Sequence, residues 1–326
     1  MTRFFAHANY DFIGVRRYAY WITALLIIPG LLFTLFSGLN YSIEFTGGTM
    51  LQVKPLKTLD VGALRTELDR EGVHGAEIQS FGSGNEYVIR ARVAKAGTDA
   101  NDTQAMTDAV SAALDQVLGK GQYTVGRGGA VGPKVGGELR TKAFLAIFLS
   151  FFAVLAYLAY RFEWRFGVAA VVATAHDILA TIAFIGIMRL EVSLTVVAAV
   201  LSMVGYSLND TIIIFDRVRE NLVRMKNASF AEVLNRSINE TLPRSILTHG
   251  TTLGTLLALT IFGGEVIRPF ALVMFFGVFT GTFSSIYIAS PVLMAIEQRW
   301  PGPHTHSRKP RSAAPAPASR KAQPVA

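Results

Sequence analysis

The side chains with potential chemistry are the few polar and ionisable residues that interrupt long apolar stretches of this sequence. Ser202, Tyr206 and Asp210 recur at intervals of four residues, so a helix places them on one face, with Asn209 beside it. An ionisable group at the depth of a lipid bilayer is costly, and such groups are usually functional. Asp210 is therefore a candidate for carrying a proton.

Two further polar sets lie in other apolar stretches. They are Arg244 with Thr248, Thr252 and Thr255, and Asp177 with Thr174, Thr181 and the adjacent His176. Burial favours the neutral form of Asp210 whereas a nearby Arg244 favours its charged form, so a small helix movement could load or release a proton. We predict a proton relay of Asp210 and Arg244. The predicted supporting polar residues are His176, Asp177, Asn209, Tyr206 and Thr248.

Other interpretations of these residues stay open. Asp210 could mark a helix end near water, Arg244 could extend its side chain to the membrane surface, and His176–Asp177 could be a hydrogen-bonding pair that does not titrate. Threonines and glycines let membrane helices approach closely, so the threonine stripe could serve packing. The same holds for the pairs Gly250–Gly254 and Gly277–Gly281.

The elements that position these residues are predicted to be six membrane helices. The chain has 326 residues, of which 51% are hydrophobic and only 17% charged, where soluble domains carry about 25% charged residues. The uncharged runs are long enough for the ~20 residues that a spanning helix needs. The predicted spans are residues 18–38, 142–161, 166–188, 192–214, 245–264 and 269–296. A water-soluble core would break such runs with frequent turns.

The distribution of Lys and Arg predicts the orientation. Short connections on one side carry most of the basic residues, which places both termini in the cytoplasm and explains the net charge of +8. Residues 1–17 would be a cytoplasmic N-terminus, 216–243 a cytoplasmic amphipathic connector, and 299–326 a disordered basic tail. The first apolar run is too long for a cleaved signal and is expected to remain as an anchor. The absence of cysteine excludes disulfides and thiolate metal sites.

Residues 40–137 form the one substantial polar insert, predicted to be a periplasmic α+β domain. Its pattern alternates in the order β-α-β-β-α-β, which is the ferredoxin-like arrangement. Strands over Ser42–Val53 and Tyr87–Val93 could offer edges to an extended polypeptide. The glycine-rich segment 126–137 is interpreted as a hinge through Gly132, Gly136 and Gly137, because glycine admits backbone angles closed to other residues.

Six ordered motifs resemble the SecF family of protein-export membrane subunits. They are Phe45–Thr49, Val131–Leu139, Ala175–Asp177, Val204–Asn221, Thr241–Thr252 and Ser284–Ser290. The resemblance runs from about residue 10 to 297 and is most specific in the segment VGYSLNDTIIIFDRVREN of the fourth span.

The resemblance implies a fold, partners and an activity. SecF pairs with SecD, or is fused to it, in a twelve-span arrangement like that of the resistance-nodulation-division transporters. The complex works in the bacterial inner membrane with the SecYEG channel after the SecA motor. It uses the proton motive force to complete export of unfolded polypeptides, without an enzymatic reaction or a cofactor. A membrane Asp and Arg of the family fall at Asp210 and Arg244, and a further proton-carrying Asp belongs to SecD.

Three alternative functions remain at this point. Half of a proton-driven small-molecule exporter would share the architecture, but the insert is too small to enclose a drug pocket alone. An intramembrane metalloenzyme would have to use His176, Asp177 and His249, which lie on different spans. A passive scaffold for SecD would tolerate substitution of both Asp210 and Arg244.

Overall fold

The computed structural model describes residues 9–57, 59–71, 73, 76–80, 85–91, 103–131, 133–161 and 163–302. In chain order its elements are α1 (Arg16–Ser37), β1 (Asn40–Tyr41), α2 (Ile43–Thr46), β2 (Gly48–Pro55), α3 (Val61–Arg70), β3 (Glu77–Ser80), β4 (Tyr87–Ala91), α4 (Thr103–Leu118), β5 (Tyr123–Val131), α5 (Pro133–Arg161), α6 (Trp164–Ile187), β6 (Glu191–Val192), α7 (Leu194–Arg224), α8 (Phe230–Phe262), α9 (Gly264–Ser284), a π-helical turn (Ser285–Ala289) and α10 (Ser290–Arg299).

Six helices among the described residues are long and apolar enough to cross a membrane. They are α1, α5, α6, α7, α8 and a sixth that runs over Ile267–Arg299 through α9, the π turn and α10. This confirms the predicted fold class of a six-span helical protein with a small mixed domain after the first span. The predicted tail falls outside the described residues from 303 onward, as do residues 1–8 of the predicted N-terminus.

The predicted connector over 216–243 is not a separate element. Helix α7 continues to Arg224, and α8 begins at Phe230, where Ser229 and Glu232 form a reciprocal capping box. Apolar composition marks only the part of a helix that lies in the membrane, whereas the helix itself continues into the polar region beyond it. The two helices are therefore longer than their apolar runs.

The insert between α1 and α5 contains a four-stranded sheet in the order β3-β4-β2-β5. Strand β2 is antiparallel to both β4 and β5, and β3 is antiparallel to β4. With the element order β-α-β-β-α-β this is the ferredoxin-like topology that the sequence predicts. Buried side chains of β2, α3, β4 and α4 form its core, including Val53, Leu64, Ile89 and Leu114.

The edges of this sheet differ from the expectation. Strands β2 and β4, which cover the segments predicted to offer edges, are both central, and β3 and β5 are the outer strands. The sequential order of strands does not fix their spatial order, because the two helical connections each carry the chain past a neighbouring strand. Of the two, β5 is the longer, and Thr124 and Val125 near its start are exposed.

The membrane core is built around α7, which packs against α6, α8 and α9. Helix α9 approaches α7 closely because Gly277 faces Met203 and Gly281 faces Ser207, where a Cβ on either glycine would overlap the facing side chain. Helices α1 and α5 are much less enclosed. Only 11% of the residues in the apolar segment of α1, and 6% in that of α5, are buried. The outer surfaces of these two helices are therefore open to lipid or to a partner.

The glycine-rich segment that the sequence presents as a hinge is mostly regular structure. Strand β5 extends through Val131 and α5 begins at Pro133, so Gly132, which lies outside the described residues, is the single position between them. Gly136 and Gly137 are helical and do not adopt the left-handed backbone angles that the hinge interpretation invoked. A hinge at Gly132 stays a prediction.

Gly136 instead allows a close contact between α5 and the segment after α1. A Cβ at Gly136 would lie 2.8 Å from the backbone nitrogen of Gly47 and 3.1 Å from the carbonyl carbon of Phe45. Both neighbours are backbone atoms and cannot move aside as a side-chain end can. Gly136 therefore holds the start of α5 against α2.

We expect Gly136→Val to separate α5 from α2. The free energy of unfolding of the purified chain should fall by about 1–3 kcal/mol, the usual cost of overpacking, which lowers the melting temperature. The matched control is Gly137→Val, because a Cβ at Gly137 meets no atom of the described residues within 4 Å outside its own stretch of helix. Both variants place the same residue in the same helix, so equal melting temperatures would contradict the packing role.

Candidate functional site

Asp210 is buried between α7 and α8, with 2% of its surface exposed. Its Oδ1 atom accepts a hydrogen bond of 2.6 Å from the Ser245 hydroxyl of α8. Among the described residues, its Oδ2 atom is enclosed without a hydrogen-bond partner. A buried polar atom without a partner is costly, and buried ionisable groups in membrane helices are usually functional, so Asp210 is a candidate functional residue.

The seam between α7 and α8 continues through three further polar side chains, of Tyr206, Thr252 and His249. The Tyr206 hydroxyl shares a hydrogen bond of 2.8 Å with the Thr252 hydroxyl and donates to the carbonyl oxygen of Thr248 at 3.3 Å. The Tyr206 ring also packs edge-on against His249, whose Nδ1 lies 2.6 Å from the carbonyl oxygen of Ser245. A carbonyl only accepts, so Nδ1 carries the proton in this contact.

Arg244 does not join this seam. It is exposed on the outer surface of α8, and among the described residues it forms no ion pair with Asp210. Adjacent residues of a helix point about 100° apart, so the contact of Ser245 with Asp210 turns Arg244 away. The structure thus brings Asp210 together with Ser245 but does not pair it with Arg244. Asn209 is likewise exposed.

A second buried carboxylate, Asp177 of α6, lies in a separate polar cluster. Its Oδ2 accepts hydrogen bonds from the hydroxyls of Ser207 on α7, at 2.5 Å, and Ser284 on α9, at 2.7 Å. Its Oδ1 lies 3.0 Å from Nδ1 of the adjacent His176. Asp177 is fully buried. The cluster links three helices at one point, next to the π turn where Ser285 contacts Thr211.

Several residues of both clusters were not predicted from the sequence. Ser245, Ser207 and Ser284 supply hydroxyl donors to the carboxylates. The available signal was a serine within an apolar run, but serines are frequent at packed membrane helices for steric reasons alone. His176 lies beside Asp177, whereas His249 lies beside Ser245 and Tyr206 in the seam with Asp210. The rotation of α6 and α8 about their axes turns the two histidines toward these different neighbours.

The helix that carries Asp210 is bonded at its N-terminus to the α/β domain. A carboxylate oxygen of Glu44 accepts a hydrogen bond of 2.6 Å from the backbone nitrogen of Leu194, the first residue of α7. A carboxylate at a helix N-terminus also interacts favourably with the helix dipole. Glu44 lies in α2, the short helix that Gly136 holds against α5.

A second connection joins the sheet to the loop before α7. Arg90 of β4 forms an ion pair of 2.6 Å with Glu191 of β6, and both side chains are largely shielded from solvent. The strand pair β1–β6 aligns Asn40 with Glu191 and Tyr41 with Val192. Movement of α7 along its axis would therefore act on the α/β domain through at least three contacts.

These features define a class of protein before any comparison. The chain is a polytopic membrane protein with ionisable groups buried between its spans and an extramembrane α/β domain attached to the helix that carries one of them. Ionisable residues inside the membrane typically mark ion or substrate pathways and proton relays.

Comparison with known families identifies the group within that class. The family model described as "Protein export membrane protein SecD/SecF, C-terminal" matches residues 104–299, and "SecD/SecF GG Motif" matches residues 33–55. Protein translocase subunit SecF of Gemmatimonas aurantiaca is 53% identical over 305 residues, covering 92% of this chain and 91% of that protein. The subunit of Escherichia coli O157:H7 is 34% identical over 287 residues, covering 88% of each.

Solved structures agree with this assignment. The crystal structure of SecDF, a translocon-associated membrane protein from Thermus thermophilus, aligns with a TM-score of 0.79 and 36% identity, covering 90% of this chain. SecDF in a super-membrane-facing form aligns with a TM-score of 0.66 and 35% identity, also over 90% of this chain. The chain spans 39% of the length of each SecDF chain.

The chain belongs to the SecF family of protein translocase subunits. Members are accessory subunits of the Sec translocase, so this is a transport subunit rather than an enzyme.

Proposed function

We propose that the chain works with SecD in the bacterial inner membrane and uses the proton motive force to complete export of polypeptides that pass through SecYEG after SecA. Both termini lie in the cytoplasm and the α/β domain in the periplasm, as the excess of Lys and Arg in the opposite connections supports. Asp210 carries the proton on this subunit.

The observation that carries this proposal is the position of Asp210 on α7. Leu194 and Asp210 are sixteen residues apart, about 24 Å along a helix at 1.5 Å per residue. One end of this helical segment holds a buried carboxylate with an unpartnered oxygen among the described residues, and the other is bonded to Glu44 beneath the α/β domain. Protonation at one end can therefore be transmitted to the domain by displacement of a single rigid helix.

The outer face of α8 supports association with SecD. Arg244 and Thr248 are exposed there, and a Cβ on Gly250 or Gly254 would meet no described atom within 4 Å outside its own stretch of helix. Polar residues and small residues on a lipid-facing surface favour contact with another membrane helix. The remainder of the SecDF chains, beyond the 39% that this chain spans, is the natural source of that helix.

The free energy of one proton limits the mechanism. One charge that crosses 100 mV releases about 2.3 kcal/mol, whereas a shift of a two-state equilibrium from 1:99 to 99:1 needs about 5.5 kcal/mol. A single proton at that potential biases the domain without switching it fully. We propose that the α/β domain captures the exported polypeptide. Partial movements of the domain then suffice to stop the polypeptide from sliding back into the channel.

The outer strand β5 is the site for this capture, because an edge strand offers unpaired backbone groups to an extended chain. A photocrosslinker at Val125 should form an adduct with a precursor polypeptide stalled in the channel, and the yield should rise with the proton gradient. The matched control is a crosslinker at Arg65, an exposed position on α3 of the same domain. Adducts only to SecD or to channel subunits, with the precursor in place, would refute capture and favour the scaffold alternative.

A further inference from the structure

An apolar cleft lies between the exposed helix α5 and the packed helices α6 and α7. It encloses about 110 Å³ and is lined by Ile147 of α5, Ile182 of α6 and Val197 of α7, with Tyr41 and Phe45 at the end nearest the α/β domain. Apolar cavities of this size remain free of water when they lack polar partners. Whatever fills the cleft is therefore itself apolar.

The cleft is continuous with the surface that faces the lipid. Phe144 lines the cleft, yet 57% of its own surface is exposed. The cleft opens along the exposed side of α5, and its walls are apolar side chains of α5, α6 and α7. A flexible hydrocarbon chain is the apolar group of a membrane that can lie along such a cleft.

Arg140 stands at the mouth of the cleft. It is the single charged side chain among the described residues that line it, it is exposed, and it forms no ion pair with a described carboxylate. The uncharged run of α5 begins only after Lys142, so Arg140 lies at the depth of the lipid headgroups. A guanidinium group binds phosphate oxygens through paired hydrogen bonds.

We propose that this cleft is a phospholipid-binding site, in which one acyl chain occupies the space behind α5 and the lipid phosphate binds Arg140. The geometry favours a lipid over a free anion because the charged and apolar parts of the site adjoin. Tyr41 at the same end adds an aromatic ring of the kind that is enriched at membrane interfaces. The bound chain would fill the space behind the helix that leads out of the α/β domain.

Photolabelling of the full chain tests this site. The protein is reconstituted in phosphatidylethanolamine vesicles that contain phosphatidylglycerol with a photoreactive group midway along one acyl chain. We expect adducts on peptides that contain Ile147, Ile182 and Val197, and no competition by inorganic phosphate, which cannot fill the cleft. Arg140→Gln should reduce this labelling about tenfold, as expected for loss of one charge-assisted contact.

The matched control is Lys142→Gln, which removes a positive charge from an exposed position two residues further along α5 and should leave labelling unchanged. Ile147→Phe fills the cleft from the exposed helix and should reduce labelling although Arg140 is retained. Equal labelling of the Arg140→Gln and Lys142→Gln proteins would overturn the proposal. So would adducts confined to the outer surface of α5, or loss of labelling when the chain is reconstituted together with SecD.

Discussion

Replacement of Asp210 with Asn is expected to abolish the part of export that depends on the proton gradient, while the variant still folds and assembles with SecD. The Asn side-chain oxygen can keep accepting the hydrogen bond from Ser245, which is 2.6 Å long in the wild type. Its amide nitrogen replaces the carboxylate oxygen that has no partner among the described residues. The variant thus retains the packing but has no titrating proton.

The measurement is the rate of precursor uptake into inverted membrane vesicles at a series of proton gradients set with an ionophore. Thr195→Ala serves as the control, because Thr195 is an exposed polar residue of the same helix, far from Asp210. That variant should respond to the gradient as the wild type does. A wild-type response from Asp210→Asn vesicles would exclude Asp210 from the relay.

The second large effect is expected at Asp177. Asp177→Ala removes the acceptor of both Ser207 and Ser284 in a site that is fully buried. Loss of the acceptor of Ser207 costs about 1–3 kcal/mol, whereas the Ser284 hydroxyl can turn to the carbonyl oxygen of Gly281, 3.1 Å away. Because the three residues belong to α6, α7 and α9, the loss should loosen the centre of the helix bundle. We expect a lower melting temperature of the purified chain.

Asp177→Asn tests whether the stability is lost with the hydrogen-bond acceptor or with the negative charge, since the Asn side-chain oxygen can still accept a hydrogen bond from a serine. It should recover most of the stability that Asp177→Ala loses. If Asp177→Ala and the wild type have the same melting temperature, the serine hydroxyls have found other acceptors. The cluster would then have no structural role. Combination with Ser207→Ala should add little further loss if the two side chains act together.

The sequence was sufficient for the number of spans and for the order of strands and helices along the insert. A membrane helix must exclude charge over about 20 residues, which is a local property that Arg17–Glu44 and Lys142–Arg161 display directly. The ferredoxin-like order follows from the alternation of strand and helix patterns. The presence of polar residues at Asp177 and Asp210 was equally visible, because each interrupts or ends an apolar run.

The partners of those residues depend on geometry that no local pattern records. Ser245 faces Asp210 while its neighbour Arg244 faces outward, and this is decided by the rotation of α8 about its axis. The positions of β2 and β4 at the centre of the sheet follow from the packing of the two connecting helices. Gly136 resembled a flexible residue in sequence, but its tight contact with Gly47 required the position of α2.

The exposed face of α8 also bears on the life of the chain before assembly. Arg244 and several threonines of α8 stay exposed for as long as no partner helix covers them, and exposed polar groups on a membrane helix are costly. A subunit without its partner would expose this polar face, and assembly would cover it. Membrane quality-control proteases could then remove unassembled copies, which would keep the abundance of this subunit matched to that of its partner.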